Sequence, residues 1–447
     1  MSYKKSRYNV IAKNDKGSRL FNSRTGAIIE LDKFDPLFPS FAEAWKQQKF
    51  ELSDHVWFSS LRDTGFVVPE EANEISDYMA SFDVMQKTND HMSLILMPTE
   101  QCNFRCVYCY ESFLKPQMNK KMQEGLKKYI STNMERVKLF SIEWFGGEPL
   151  LGKEVIRNIS THAVALSREQ NVPFRSTITT NGYLLDPDTF DEAVTEWNLN
   201  RFQITIDGPK EFHDKRRVLE AGGPTFDKIV SHLEYIAKSN YSDLMYVVRM
   251  NVDRENLKTV PEFARILKEI VGDDRRARFF ARPVWGKSDC DLLTNFESRS
   301  LRKQMVEICE ETGLHLFDTD LFLQPGGGMC YAADAHSLVV GPDGSLYKCT
   351  SAFELPENLV GHLNEDGTIQ LNMENYTLWV KPGTEKYSQC RQCAILPVCN
   401  SGHCPKIDIE RNKKHEDMSR PVCPPFKEDI KTFVATAPME EEFANVQ

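Results

Sequence analysis

Apolar and polar positions first alternate in short runs and then, from residue 92, settle into a strand–helix rhythm. Runs at 8–12, 19–22 and 27–31 flank the turn formers Asn14-Asp15-Lys16-Gly17 and Thr25-Gly26, a pattern that predicts three short antiparallel strands. Phe41, Ala44 and Trp45 stand at helical spacing, and Val56, Leu61 and Phe66 mark further short elements around Gly65. Ile75, Tyr78, Met79 and Phe82 repeat at i, i+3, i+4, i+7, the stripe of a linking helix. Six apolar runs then recur at 93–97, 140–145, 175–180, 202–206, 246–252 and 278–284. Helical faces separate them, among them Met122/Leu126/Tyr129/Ile130/Met134/Val137, Phe226/Ile229/Val230/Leu233/Ile236 and Phe263/Ile266/Leu267/Ile270. Strands alternating with helices imply a parallel sheet. Six repeats suit an open α/β architecture, a partial (β/α)6 TIM-like barrel.

Length and composition bound the rest. A chain of 447 residues has room for about three domains. With 41% hydrophobic and 27% charged residues it has the composition of an ordinary globular protein. The net charge of -10 and the lack of a basic stretch argue against a nucleic-acid partner. No apolar run reaches membrane-spanning length, and Met1-Ser2-Tyr3-Lys4-Lys5-Ser6 leads into no apolar export segment. The twelve cysteines cluster at ligand-like spacings in a large chain, which points to metal and a reducing cytoplasm. Cys290 and Cys309 stand apart; Cys309 shares a helical face with Met305 and reads as a buried thiol.

Cys102, Cys106 and Cys109 follow the first barrel run at a C-x3-C-x2-C spacing. Thiolates hold iron–sulfur clusters and structural zinc. A zinc knuckle or three plain buried thiols stay open as readings, but zinc ordinarily takes four donors in two pairs. Three cysteines around a [4Fe–4S] cluster leave one iron open. Here the chain resembles the radical S-adenosylmethionine (SAM) enzymes, in which that open iron chelates the amino and carboxylate groups of SAM. The resemblance places Tyr108 beside the adenine. It makes Gly146-Gly147-Glu148-Pro149, after the second run, the motif that meets the methionine ammonium. Asn181 in Thr180-Asn181-Gly182, Thr205, Arg217 in His213-Asp214-Lys215-Arg216-Arg217, and Asn251 complete the cofactor contacts it implies. The last segment equally suits a surface ion pair of Asp214 with Arg217.

Seven further cysteines lie between 330 and 423 and resemble the SPASM extension, which carries two auxiliary [4Fe–4S] clusters. The resemblance assigns Cys330, Cys349 and Cys404 to one, and Cys390, Cys393, Cys399 and Cys423 to the other. The first set has three clear donors: His336 is a possible fourth, and an open iron that binds a substrate thiolate is the alternative. The gap Asn400–His403 is one residue longer than the pattern. Zinc ribbons remain the plain alternative, since C-x2-C is common to both.

The domains expected are 1–85, winged-helix-like and similar to leader-peptide recognition units; 86–315, the barrel; 316–428, the auxiliary-cluster domain; and a tail at 429–447. The implied activity is that of a peptide maturase. SAM would give a 5′-deoxyadenosyl radical, and side chains of a ribosomally made precursor peptide would be cross-linked, with thioether slightly ahead of C–C or C–O bonds. A flavodoxin- or ferredoxin-type reductant is implied as partner. An anaerobic sulfatase-maturing enzyme is the second reading, and a non-catalytic, zinc-structured peptide binder the third. No carboxylate stands out as a general base.

Overall fold

The computed structural model describes residues 2–15, 17–35, 38–47, 50–51, 56–88, 90–284, 290–317, 321–380, 388–400, 404–424 and 426–437. Contacts divide the chain into two compact units. One comprises Met1–Thr88, Asp318–Ala335 and Leu378–Gln447; the other comprises Asn89–Phe317 and His336–Thr377.

The second unit is built on one mixed sheet. All six expected strands form, as β1 (His91–Leu96), β2 (Leu139–Trp144), β3 (Phe174–Thr180), β4 (Leu199–Thr205), β5 (Met245–Val252) and β6 (Ala277–Pro283). They lie parallel, in sequence order from one side to the other. Tyr246, Val247, Val248, Met250 and Val252 are all buried, because helices cover a parallel strand and demand apolar side chains on it. Those helices present Leu126, Ile130 and Met134, then Ile156, Ile159 and Ala163, then Ile229, Leu233 and Ile236, then Phe263, Ala264 and Leu267. Their starts are fixed locally. Asn119 accepts from the N–H of Met122, and Asp186, followed by Pro187, from that of Thr189.

The sheet does not stop at six strands. β7 (Ser337–Val340) adds in parallel to β1, with Ser337 opposite Ser93 and Val340 opposite Leu96. β8 (Ser345–Tyr347), β9 (Leu359–Leu363) and β10 (Ile369–Leu371) continue it antiparallel, giving ten strands. Asp343-Gly344, with Gly344 at φ +88°, makes the tight turn between β7 and β8. Part of the segment expected to carry auxiliary clusters thus belongs to the sheet of the barrel, and Cys349 follows the end of β8 by two residues.

The first unit contains the expected meander, Asn9–Lys13, Gly17–Asn22 and Ile28–Asp32, with the first and third strands outermost. A second small sheet sets Ser2–Lys5 between Phe50–Glu51 and Val67–Pro69. Two helices, Phe38–Gln47 and Val56–Asp63, close a core of Tyr3, Leu20, Phe41, Phe50, Phe58, Leu61, Phe66 and Val67. The expected linking helix spans Glu74–Lys87, capped by Asn73, and its Tyr78 hydroxyl donates to Asn400 Oδ1 at 2.8 Å. The other face of the meander packs differently. Val10, Ala12 and Phe21 share one apolar cluster with Leu323, Ile395, Val398 and the helix Phe426–Thr436, which contributes Phe426, Ile430, Phe433 and Val434. That helix occupies the start of the expected tail. Among the described residues no helix is long and apolar enough to cross a membrane.

Candidate active site

The cysteine loop leaves the C-terminal end of β1, where α/β barrels place reactive groups. Within it Phe104–Cys106 pairs antiparallel with Arg217–Leu219, and Cys106 stands opposite Arg217. Cys102, Cys106 and Cys109 lie within electrostatic reach of one another. Burial, and then the neighbouring Glu148, push the Cys102 thiol up to about 12. Desolvation likewise holds Cys109 at about 11 and raises Cys106 against the pull of the Arg217 guanidinium. Among the described residues no three His, Cys, Asp or Glu side chains are drawn together as for a single ion.

Gly146 and Gly147 press against the backbone leading into Cys102. Gly146 has φ +119°, and a Cβ there would strike the carbonyl of Thr99; one on Gly147 would strike those of Glu100 and Gln101. The N–H of Glu148 donates to Gln101 O at 2.9 Å. The glycines therefore lock the second loop onto the first. Glu148 is fully buried, which raises its carboxyl, but three donors oppose that rise. The N–H of Leu150 (3.0 Å) and the hydroxyl of Thr180 (2.7 Å) reach Oε1, and the N–H of Asn181 (2.7 Å) reaches Oε2. A carboxylate offers about four acceptor positions, so one remains. Asn181 also donates to Asn103 Oδ1 at 2.8 Å, tying the third loop to the cysteine loop.

Tyr108, Arg217 and Asn251 converge on one atom. The Tyr108 hydroxyl accepts from Arg217 Nη1 at 2.6 Å and from Asn251 Nδ2 at 3.0 Å, and donates to Asp207. Asp207, fully buried, also accepts the N–H of Asn251 at 2.9 Å. Asp207, two residues beyond the end of β4, is not among the residues singled out from sequence, yet it is the hub's acceptor. Arg216 lies over the Tyr108 ring at 5.5 Å and pairs with buried Asp253 at 2.8 Å. Asp214 forms no pair with Arg217. Its carboxylate accepts the N–H groups of Thr225 and Phe226 instead. Thr205 ends β4, buried beside this network.

His213 supports the hub from behind. Its Nδ1 accepts the N–H of Asp207 at 3.1 Å, so Nε2 carries the proton, 3.0 Å from Thr225 Oγ1, which in turn donates to Arg217 O at 2.6 Å. Burial, reinforced by the Arg217 charge, drives its pKa well below the ordinary value of 6.5. The folded state then keeps His213 neutral where the unfolded chain takes up a proton. Stability from this group is complete above pH 6.5 and falls as pH drops below it, by at most about 1.4 kcal/mol per pH unit. Urea titrations between pH 7 and 5 should show this slope in the native protein and a shallower one in His213→Gln. Equal slopes would refute the assignment.

In the first unit Cys390, Cys393, Cys399 and Cys423 gather around Lys427. The Lys427 ammonium donates to Cys423 Sγ at 3.2 Å and lies within electrostatic reach of Cys393 and Cys399. Burial, then Cys423 and Cys393, push the Cys390 thiol up to about 11. Lys427 was not singled out from sequence, and Tyr78, read there only as part of the linking helix's apolar stripe, approaches Cys399 and Cys390. Cys330 and Cys404 also lie in this unit, whereas Cys349 and His336 lie in the other. The backbone N–H of Cys349 donates to Asn358 Oδ1 at 2.9 Å, and the His336 ring packs edge-on against His91 at 4.9 Å. The lengthened gap falls on residues 401–403, outside the described residues.

Residues 96–267 match the Radical SAM superfamily. The chain carries a radical SAM domain. A serine-type anaerobic sulfatase-maturating enzyme of Bacteroides thetaiotaomicron is 26% identical over 371 residues, 72% of this chain and 84% of that protein. The radical SAM cyclopropyl synthase TigE of Paramaledivibacter caminithermalis is 25% identical over 52% of this chain, which spans about half of its length (54%). Among solved structures, anSMEcpe with bound AdoMet superposes with a TM-score of 0.57 at 20% identity, covering 80% of this chain and 98% of that one. Streptococcus suis SuiB does so at 0.50 and 14%, covering 93% and 100%. These two are likenesses of fold.

A radical SAM enzyme binds a [4Fe–4S] cluster and SAM, and the donor set here suits both. Three thiols that burial keeps protonated by themselves need a strongly cationic partner to ionise, which iron supplies. Glu148 has one acceptor position left for a cation, and Arg217 Nε, buried without a hydrogen-bond partner, keeps one donor unspent beside Tyr108.

Proposed function

We propose that this radical SAM enzyme matures a ribosomally made precursor peptide, joining two side chains oxidatively, with a thioether slightly favoured. The observation that carries this reading is the meander of the first unit, whose outer strand Ile28–Asp32 offers a sheet edge to an incoming peptide strand. Cys102, Cys106 and Cys109 would hold the cluster; Glu148 would take the SAM ammonium; Arg217 and Thr205 would face its carboxylate; Tyr108 would flank the adenine. When bound, cluster and SAM supply one-electron chemistry that removes hydrogen from an unactivated carbon. The protein's own part is to orient: the glycine-locked loops fix Glu148 against the cysteines, and the Asp207 hub holds Tyr108 rigid. Cys390, Cys393, Cys399 and Cys423 are proposed to hold one auxiliary cluster, and Cys330, Cys349 and Cys404 another, with an external reductant delivering electrons.

The sulfatase-maturing reading is favoured by the Bacteroides relative, whose length this chain matches over 84%. One experiment separates the two. Incubated anaerobically with SAM, reductant and a candidate precursor peptide carrying its leader, the enzyme should release 5′-deoxyadenosine and remove two hydrogens from the peptide. Deleting the leader from that substrate should abolish both. Formylglycine formation from cysteine would instead lose sulfur, and turnover indifferent to the leader would sink the maturase reading.

A further inference from the structure

The mouth of the parallel sheet holds two guanidinium groups that the cofactor site does not use. Arg249 and Asn251 alternate onto one face of β5, and their register partners Phe280 and Arg282 onto the same face of β6. It is the face on which Asn251 meets the Tyr108 hydroxyl, so both arginines look toward the cysteine loop. They share one aromatic ring: Arg249 lies 5.9 Å and Arg282 5.3 Å from the centroid of Phe280. Arg249 Nε donates to Asn251 Oδ1 at 2.9 Å, which aims the rest of its fork away from the strand.

The charge around Arg249 is unbalanced. Among the described residues it forms no ion pair; Arg282 is a like charge beside it, and Asp207, the acid within reach, already receives Tyr108 and Asn251. Desolvation and Arg282 together lower the pKa of Arg249, the opposite of what a resident carboxylate would do. Two guanidiniums beside one ring bring N–H donors close together, and arginine donors bind a carboxylate through paired hydrogen bonds.

We propose that Arg249 and Arg282 form a subsite for a carboxylate of the substrate, which sets the residue next to the one attacked. The inference rests on the peptide reading above, and its chemistry is a carboxylate, from an acidic side chain or from a free peptide C-terminus. Both would touch the substrate and stand outside the expected SAM contacts, which Arg249 meets only through its bond to Asn251.

The test is equilibrium binding by calorimetry to the full-length, cluster-reconstituted, SAM-loaded enzyme. Four probes are used: N-acetyl-Ala-Ala-Glu-Ala-Ala-amide, N-acetyl-Ala-Ala-Gln-Ala-Ala with a free C-terminus, the wholly neutral Gln amide, and glutarate. One carboxylate peptide should bind at least about tenfold more tightly than the neutral one, and which one it is identifies the source. Arg249→Gln should erase the preference, Arg249→Lys should keep part of it, and the affinity for SAM should be unchanged in both. Arg282→Gln, a change at an exposed side chain, gives the same reading should Arg249→Gln fail to fold. A preference that survives both substitutions, no preference, or no binding by any carboxylate probe overturns the proposal. So does a parallel loss of SAM affinity, which would assign Arg249 to the cofactor. Arginine-dependent binding of glutarate without binding of any peptide would leave the anion subsite standing and overturn the peptide reading instead.

Discussion

Replacing Cys102, Cys106 and Cys109 together with alanine should abolish 5′-deoxyadenosine formation and remove roughly four irons per chain. Those thiols hang on a loop clamped from two sides, by the Phe104–Cys106 ribbon and by Gly146–Gly147. The triple variant should therefore keep its circular dichroism and its melting temperature before reconstitution. The remaining ten-stranded sheet needs no metal to bury its core. Anaerobic iron and sulfide analysis with electron paramagnetic resonance reads the result, and undiminished SAM cleavage in the variant would end the assignment of this loop. Conversely, a variant retaining these three cysteines and lacking the seven between 330 and 423 should still show one cluster signal. That pairing distinguishes a catalytic cluster from cysteines that matter only for folding.

Asp207→Ala is the second change with a large expected effect. It removes the acceptor of the Tyr108 hydroxyl and of the Asn251 N–H, and leaves Arg217 buried beside a vacated site. Breaking a buried, hydrogen-bonded charge arrangement typically costs about 3–5 kcal/mol. Because the hub also positions Tyr108, Arg217 and Asn251, SAM affinity should fall along with stability. Arg216, which keeps Asp253 at 2.8 Å, limits the damage to one guanidinium. Chemical denaturation and SAM titration of Asp207→Ala beside Asp207→Asn check this. A variant with native stability and native SAM affinity would show the hub to be ornamental.

The parallel strands were legible in the sequence because burial on both faces leaves near-continuous apolar runs such as Met245–Val252. The strands β7 to β10 were not. They are three to five residues long, and the cysteines around them drew the reading toward ligand spacing; Asp343-Gly344 was the overlooked hairpin signal. Ser2–Lys5 was missed because Tyr3 is its single large apolar residue and its pairing partners lie far along the chain. At the site, motif spacing led to Tyr108, Glu148, Asn181, Arg217 and Asn251, which the structure draws together around two carboxylates. Asp207 escaped because an isolated Asp-Gly after a strand reads as a turn, and only the tertiary fold brings Tyr108 and Asn251 to it. Arg249 escaped for a similar reason: an arginine inside an apolar strand carries no spacing signal.

The apolar cluster that joins Val10 and Phe21 to Phe426, Ile430 and Phe433 has a consequence for biosynthesis. A ribosome that has just delivered residue 377 has released every strand of the large sheet, while the early meander still lacks the aromatic partners that cover one of its faces. The meander is therefore completed only after residues 426–437 emerge, once every strand of the large sheet has already been made.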